Sequence, residues 1–254
     1  MDNFGAMASA CEDSPADLDY SIQRAPQGFS LTRRGQPAID RLDPCDLLYV
    51  LEKDITIELQ KRRPDLFFLH SAALDWRGKA YLLAAETGGG KSTTTWGLLH
   101  HDFQYLTDEL SPVDLPSMRV FPYPHALCLK RLPPAPYPLP ADAIQLGRTI
   151  HVPTRSFPSR AISVPLPLGA VFLLKYCPEL DAPNLRAIGP AEASARLYVN
   201  ALNALAHPNH GLEAVAHVAE HVPCFAVSSA QLPATCALIR SAVEQMQAAF
   251  SFPV

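Results

Sequence analysis

The chain has 254 residues, 48% of them hydrophobic, and a formal net charge of −4. This length and composition allow one sizeable core, and the acidic balance excludes a general electrostatic attraction to nucleic acid or to an anionic membrane. No apolar run reaches the roughly 20 residues of a membrane helix, and the acidic N-terminus does not resemble a secretory signal. The six cysteines are irregularly spaced and form no C-x-x-C pair, which favours reduced thiols in a cytoplasmic protein.

The chain divides by composition into three parts. We predict that residues 1–14 are disordered, that 15–45 form a small N-terminal lobe or extension with short strands, and that 46–254 form the main domain. Apolar residues at near-helical spacing predict a helix within 43–65, capped by Asp43 or Asp46.

The next segments alternate between strand and helix patterns. The segment 66–85 predicts a β-hairpin, with strands LFFLHSAALDW and KAYLLAA on either side of an Arg-Gly turn. KSTTTWGLLHH predicts a short helix, and FQYLTDELSPVD predicts a strand that ends near Asp108. Proline-rich stretches at 131–143 and 153–167 predict loops or sheet edges, because proline lacks a backbone donor.

The C-terminal third contains three predicted strands and three predicted helices. NLRAIGP is interpreted as one of the strands. GAVFLLKY (169–176) predicts a buried strand and CFAVSS another, while 190–207, 211–222 and LPATCALIRSAVEQMQAAF predict helices. Strands and helices mix without regular βαβ alternation. The predicted fold class is therefore α/β, with a mixed sheet and flanking helices.

The segment AETGGGKS, residues 85–92, fits the P-loop pattern G-x-x-x-x-G-K-[ST] with one departure, Ala85 in place of the first glycine. Glycines let successive backbone N–H groups converge on phosphate oxygens, and the following helix directs its positive end at the same anion. The predicted nucleotide-binding residues are Ala85, Thr87, Gly88, Gly89, Gly90, Lys91, Ser92 and Thr93. The alternative interpretation is a glycine-rich turn that holds no ligand.

An acidic pair follows the predicted helix. Asp108 comes 17 positions after Lys91, which leaves room for one helix and a returning strand. Lys91 would neutralise β- and γ-phosphate charge, and Ser92, Asp108 and Glu109 are candidate Mg²⁺ ligands. One of the two acids could instead accept the proton of an attacking hydroxyl. The alternative is a solvated acidic turn.

Together these motifs resemble the HPr serine kinase/phosphorylase group, whose P-loop core is also similar to that of phosphoenolpyruvate carboxykinase. The resemblance covers about residues 66–130 and consists of His70 in a strand, the WRGKAYLL hairpin, AETGGGKS and LTDEL. It implies a kinase that uses ATP and Mg²⁺, with Lys91 and Asp108 in the catalytic site. It also implies that His70 lies near the transferred phosphate; a core histidine in a buried strand is the alternative.

The sequence differs from the family pattern in three features. Glu109 stands where the family has a second aspartate, Thr93 stands where it commonly has glutamate, and the later arginine-glycine-rich signature is not recognisable. That signature belongs to the reverse reaction in the family, so phosphorylase activity is not expected. The chain looks more like the shorter HPr-kinase-related proteins, some of which are associated with bacterial peptide modification.

Three further basic residues are candidate substrate contacts: Lys130, Arg155 and Arg160. The alternative is an ordinary solvated lysine and two loop arginines without a role at the site. His217 and His221 are four residues apart on a predicted helix, but no further ligand pattern accompanies them, so we interpret them as surface or capping histidines.

The expected function is transfer of the ATP γ-phosphoryl group to a Ser or Thr hydroxyl of a protein or peptide acceptor. A nucleotide-binding regulatory ATPase and a small-molecule kinase are the alternatives. We expect no nucleic-acid or membrane partner, and a homo-oligomer is compatible with the sequence.

Overall fold

The computed structural model describes residues 3–7 and 16–250. Within them, the α-helices are α1 (Pro44–Arg62), α2 (Lys91–Leu99), α3 (Pro190–Tyr198), α4 (Leu212–His221) and α5 (Leu232–Phe250). The strands are β1 (Tyr20–Ala25), β2 (Gly28–Arg33), β3 (Ile39–Leu42), β4 (Phe67–Leu69), β5 (Ser71–Trp76), β6 (Lys79–Ala85), β7 (Gln104–Thr107), β8 (Ser111–Asp114), β9 (Arg119–Val120), β10 (Leu127–Leu129), β11 (Ile144–Leu146), β12 (Thr149–Val152), β13 (Leu166–Tyr176), β14 (Asn184–Ile188) and β15 (Cys224–Ser229).

The central sheet is mixed and is organised around β13. This strand pairs in parallel with β6 and with β15, and its first two residues pair antiparallel with β9. The predicted hairpin is confirmed, since β5 pairs antiparallel with β6 and also with β7. The C-terminal ends of β6 and β7 therefore lie at the same edge of the sheet, with β5 between the two strands. The glycine-rich segment follows β6, and the acidic pair follows β7.

Helices cover both faces of this sheet. Apolar residues of α2 and α5 pack with one face, and those of α3 and α4 pack with the other. Because both faces are covered, β13 consists of an almost continuous apolar run, as expected for a strand that is buried on two sides. The predicted mixed α/β architecture with flanking helices is confirmed.

Strands β1, β2 and β3 form a separate antiparallel three-stranded sheet that contacts α1. The predicted helix at 43–65 is confirmed, and of its two candidate caps Asp43 is the N-cap. The backbone N–H groups of Cys45 and Asp46 donate to Asp43 Oδ1 at 2.7 and 2.8 Å. These bonds satisfy donors that the first helical turn leaves without a partner.

Two element predictions were wrong in extent. The helix expected over 190–207 ends at Tyr198, and the strand expected over 66–76 is interrupted at His70. The two errors share one cause, because the chain after α3 hydrogen-bonds to the interruption. His70 N–H donates to Asn200 O at 2.7 Å, and Leu202 N–H donates to Phe68 O at 2.9 Å. Contacts between distant segments here override local helix preference.

Residues 3–7 differ from the disorder predicted for 1–14. Gly5–Met7 form a short 3-10 turn, the carbonyl of Asn3 accepts from Ala126 N–H at 2.8 Å, and Phe4 packs against a cluster that includes Leu66 and Phe68. The remainder of that prediction lies outside the described residues.

Candidate active site

The loop at residues 86–90 connects β6 directly to α2. Gly88 and Gly90 have φ values of +83° and +90°, in the left-handed region that residues with a Cβ atom rarely adopt. Gly89 N–H donates to Glu86 O at 2.8 Å and closes the turn. The glycine run thus supplies a backbone conformation that most other residues would resist.

Ala85, the departure from the motif, lies in the strand rather than in the turn. It is buried at the end of β6 and pairs in register with Leu174 of β13. Strand backbone suits alanine as well as glycine. The replacement therefore leaves the turn geometry unchanged.

The helix after the loop begins without a side-chain cap. Gly90 is its N-cap residue, and it makes no side-chain capping hydrogen bond. Ser92 and Thr93 lie half-buried in that turn, while Thr87 is exposed in the loop. Backbone N–H groups of an uncapped first turn, together with the helix dipole, favour an anionic ligand.

Lys91 and Asp108 form a buried ion pair at this edge of the sheet. Lys91 Nζ lies 3.1 Å from Asp108 Oδ1 and also contacts the Asp108 carbonyl oxygen. Asp108 follows β7 immediately, and Thr95 Oγ1 lies 3.4 Å from the same carboxylate oxygen. Because both charges are buried, each depends on the other for its stability.

Glu109 turns toward His70 and toward solvent. Its Oε1 lies 3.4 Å from His70 Nε2, its Oε2 lies 3.9 Å from Lys91 Nζ, and its side chain is 55% exposed. Burial of the carboxyl opposes its charge, but the hydrogen bond from His70 and the positive charge of Lys91 outweigh this effect and lower the pKa of Glu109 to about 2. Glu109 is therefore ionised at neutral pH. His70 is partly exposed at the break between β4 and β5, which does not fit the alternative of a core histidine.

The donor set at this edge suits a hard cation. An ionised, exposed carboxylate at Glu109, a carboxylate at Asp108 and the hydroxyl of Ser92 offer oxygen ligands of the kind that Mg²⁺ takes together with phosphates. Among residues 3–7 and 16–250, no group of three or more His, Cys, Asp or Glu side chains could hold a metal by itself.

The three candidate substrate residues are exposed. Lys130 follows β10 and is exposed, and Arg155 forms an ion pair with Asp142 at 3.1 Å. Arg160 is exposed, and its backbone carbonyl accepts from Tyr105 N–H at 2.9 Å. Their proposed contacts with a substrate stay predictions.

Two residues near the ion pair were not singled out as site residues from the sequence. Thr95 is four positions after Lys91 and so lies on the same helix face. His125 is buried, and the electrostatic influence of Asp108, Glu109 and Lys91 reaches its ring. No sequence pattern marks His125, since it follows a proline-containing loop.

The structure describes His217, His221 and five of the six cysteines. The rings of His217 and His221 are 3.9 Å apart, and His217 Nε2 contacts Leu115 O at 3.1 Å. The five cysteines within the described part of the chain are free: Cys45, Cys128, Cys177, Cys224 and Cys236. Over the same residues, no helix is both long and apolar enough to cross a membrane.

No protein-family model and no curated protein matches this sequence. Among solved structures, the chain is similar to the HPr(Ser) kinase/phosphatase from Coxiella burnetii, at 14% sequence identity and a TM-score of 0.38. The match covers 71% of this chain and 98% of that chain. A similarity this low carries no inference about chemistry, which has to come from the residues of the site.

Proposed function

We propose that this protein is an ATP- and Mg²⁺-dependent kinase that transfers the γ-phosphoryl group to a Ser or Thr hydroxyl of a protein or peptide acceptor. One observation carries the proposal. Lys91 is the first residue of α2, directly after a glycine turn, and it meets Asp108 and Glu109. A glycine turn, a buried lysine and two carboxylates are the parts that phosphoryl transfer requires.

The loop and helix supply the phosphate-binding half of this site. In the proposal, backbone N–H groups around Gly88–Gly90 and the start of α2 hold the β- and γ-phosphates. Lys91 adds a fixed positive charge at the same position, where low solvent exposure strengthens its interaction with an anion. This charge stabilises the phosphoryl oxygens during transfer.

The acids take different parts in the proposal because their surroundings differ. Glu109 is exposed and remains ionised, so we assign it with Ser92 to Mg²⁺, which when bound would neutralise charge on the transferred group. Asp108 is held in position by Lys91 and Thr95, and we assign it as the base that accepts the proton of the acceptor hydroxyl. We propose transfer toward the acceptor only.

The test is incubation of the wild-type chain with MgATP and an array of Ser- and Thr-containing peptides, each paired with an Ala-substituted copy. Phosphorylated peptides that require both the hydroxyl and Lys91 would support the proposal. ADP formation with water as the sole acceptor would favour the regulatory ATPase instead. Phosphorylation restricted to small alcohols in a metabolite panel would favour a small-molecule kinase, and absence of MgATP binding by calorimetry would overturn the proposal.

A further inference from the structure

His125 is a buried histidine whose ring lacks hydrogen bonds. It is 6% exposed, and neither Nδ1 nor Nε2 has a hydrogen-bond partner among residues 3–7 and 16–250. The ring packs edge-on against Tyr123, with centroids 5.3 Å apart. Buried polar atoms are nearly always paired in native proteins, so two unpaired atoms on one side chain indicate a missing partner, either water or a ligand.

The backbone places this ring beside the acidic pair. Tyr123 N–H donates to Leu106 O of β7 at 3.0 Å, and His125 N–H donates to Tyr123 O at 2.9 Å. Leu106 is two residues before Asp108. On the other side, Ala126 N–H donates to Asn3 O at 2.8 Å. The turn that carries His125 is therefore held against the strand end from which Asp108 and Glu109 extend.

The charges around the ring determine its protonation. Burial lowers the pKa of His125 below its ordinary value; the charges of Asp108 and Glu109 and the nearby carbonyl of Ala126 raise it, and the charge of Lys91 lowers it. Burial prevails, so the ring is neutral at pH 7. A neutral imidazole offers one N–H donor and one acceptor nitrogen.

We infer that His125 is a contact of the terminal phosphate, with its ring N–H group donating a hydrogen bond to a γ-phosphate oxygen. The inference rests on the proposed function. Phosphate oxygens accept such bonds strongly, and a neutral donor adds no charge that would compete with Lys91 for its carboxylate. The unpaired ring would then gain its partner only when a triphosphate is bound.

Comparison of two nucleotides tests this contact. We would measure by calorimetry, with Mg²⁺, the affinities of ADP and of a non-hydrolysable ATP analogue for the wild type and for His125→Phe. A hydrogen bond to a charged group corresponds to a loss of about tenfold to hundredfold in affinity for the analogue. Affinity for ADP should not change, and His125→Gln, which keeps a donor, should recover part of the loss.

His100 provides a matched control. It lies at the opposite end of α2, its Nε2 is also buried without a partner, and its ring packs against Trp96 at 4.9 Å. His100→Phe also removes a buried ring nitrogen that has no hydrogen-bond partner, but at a position away from the proposed phosphate loop. Both phenylalanine variants should keep or raise the melting temperature, because an unpaired buried polar atom is lost, but only His125→Phe should weaken binding of the analogue.

Other results would overturn the inference. Unchanged affinity of His125→Phe for both nucleotides would mean that water satisfies the ring, and equal losses for both would mean a general packing effect. Should His125→Phe fail to fold, His125→Leu gives the same comparison. A wild-type chain that binds neither nucleotide would overturn the proposed function itself. If the wild type binds both nucleotides and His125→Phe changes the two affinities equally or not at all, only the inference about His125 is overturned.

Discussion

Two charged clusters in this chain each contain a glutamate with a pKa of about 2, but the contacts of the two carboxylates differ. Between β2 and α1, hydrogen bonds from Arg33 and Lys61 lower the pKa of Glu58 to about 2. At the sheet edge, His70 and Lys91 lower the pKa of Glu109 to a similar value against the effect of burial. The shift alone does not distinguish the two clusters.

Coordination of the carboxylate does distinguish them. Both oxygens of Glu58 are occupied at short range, by Arg33 Nη1 at 2.8 Å and Lys61 Nζ at 2.9 Å, and its side chain is 9% exposed. The contacts of Glu109 are longer, 3.4 and 3.9 Å, and more than half of its side chain faces solvent. Glu58 is thus a closed structural pair, whereas Glu109 retains lone pairs beside a glycine turn. A perturbed pKa marks a candidate site only when such open coordination accompanies it.

Lys91→Ala should produce the largest effect. Loss of the positive charge that is proposed to stabilise the phosphates should reduce transfer by about a thousandfold or more. The variant also leaves Asp108 buried without its cation, which should lower the free energy of unfolding by about 3 kcal/mol. Addition of Asp108→Asn should restore stability, measured by urea unfolding, but not transfer. Full stability of Lys91→Ala alone would contradict the buried ion pair.

Asp108→Asn should reduce transfer by about a hundredfold or more, because a proton acceptor is lost. Nucleotide affinity should change little, since the loop, Lys91 and Glu109 remain. Calorimetry with ADP and a peptide phosphorylation assay separate the two effects. Near-normal turnover of this variant would show that the assignment of Asp108 as the base is wrong.

His70→Phe should have an intermediate effect, because it removes the hydrogen bond to Glu109 while keeping an aromatic ring. We expect transfer to decrease by about tenfold. The pKa of Glu109 should rise toward its ordinary value, as measured by NMR titration of the carboxyl carbon. His70→Gln, which can still donate, should restore both properties in part; an unchanged Glu109 titration in His70→Phe would argue against a role through Glu109.

Glu58→Gln should have the smallest effect on chemistry, with unchanged transfer and a lower melting temperature near neutral pH. Because the folded-state pKa is depressed, the stabilisation by Glu58 is complete above the ordinary glutamate pKa and is lost as pH falls toward 2. The difference in melting temperature between wild type and variant should therefore decrease from about pH 4.5 downward. Loss of transfer in this variant would remove the contrast between the two clusters.

Local signals explain which parts could be predicted. Asp43 and Pro44 define the start of α1, the Arg-Gly turn defines the β5–β6 hairpin, and AETGGGKS defines the turn into α2. Each depends on residues close together in the chain, whose preferred backbone angles and capping bonds act without help from distant segments. The acids after β7 were likewise predictable, because a strand end positions the residues that follow it.

The sequence by itself determined the glycine-rich turn before α2, the acidic pair and the mixed α/β class. Only the tertiary structure decided that α3 ends at Tyr198, that His70 interrupts a strand, and that Glu109 rather than Asp108 faces solvent. It also placed His125 beside the acids, through a hydrogen bond from Tyr123 to Leu106 across 17 residues of chain. Such contacts join segments that lie far apart in the chain, so no local periodicity or propensity records them.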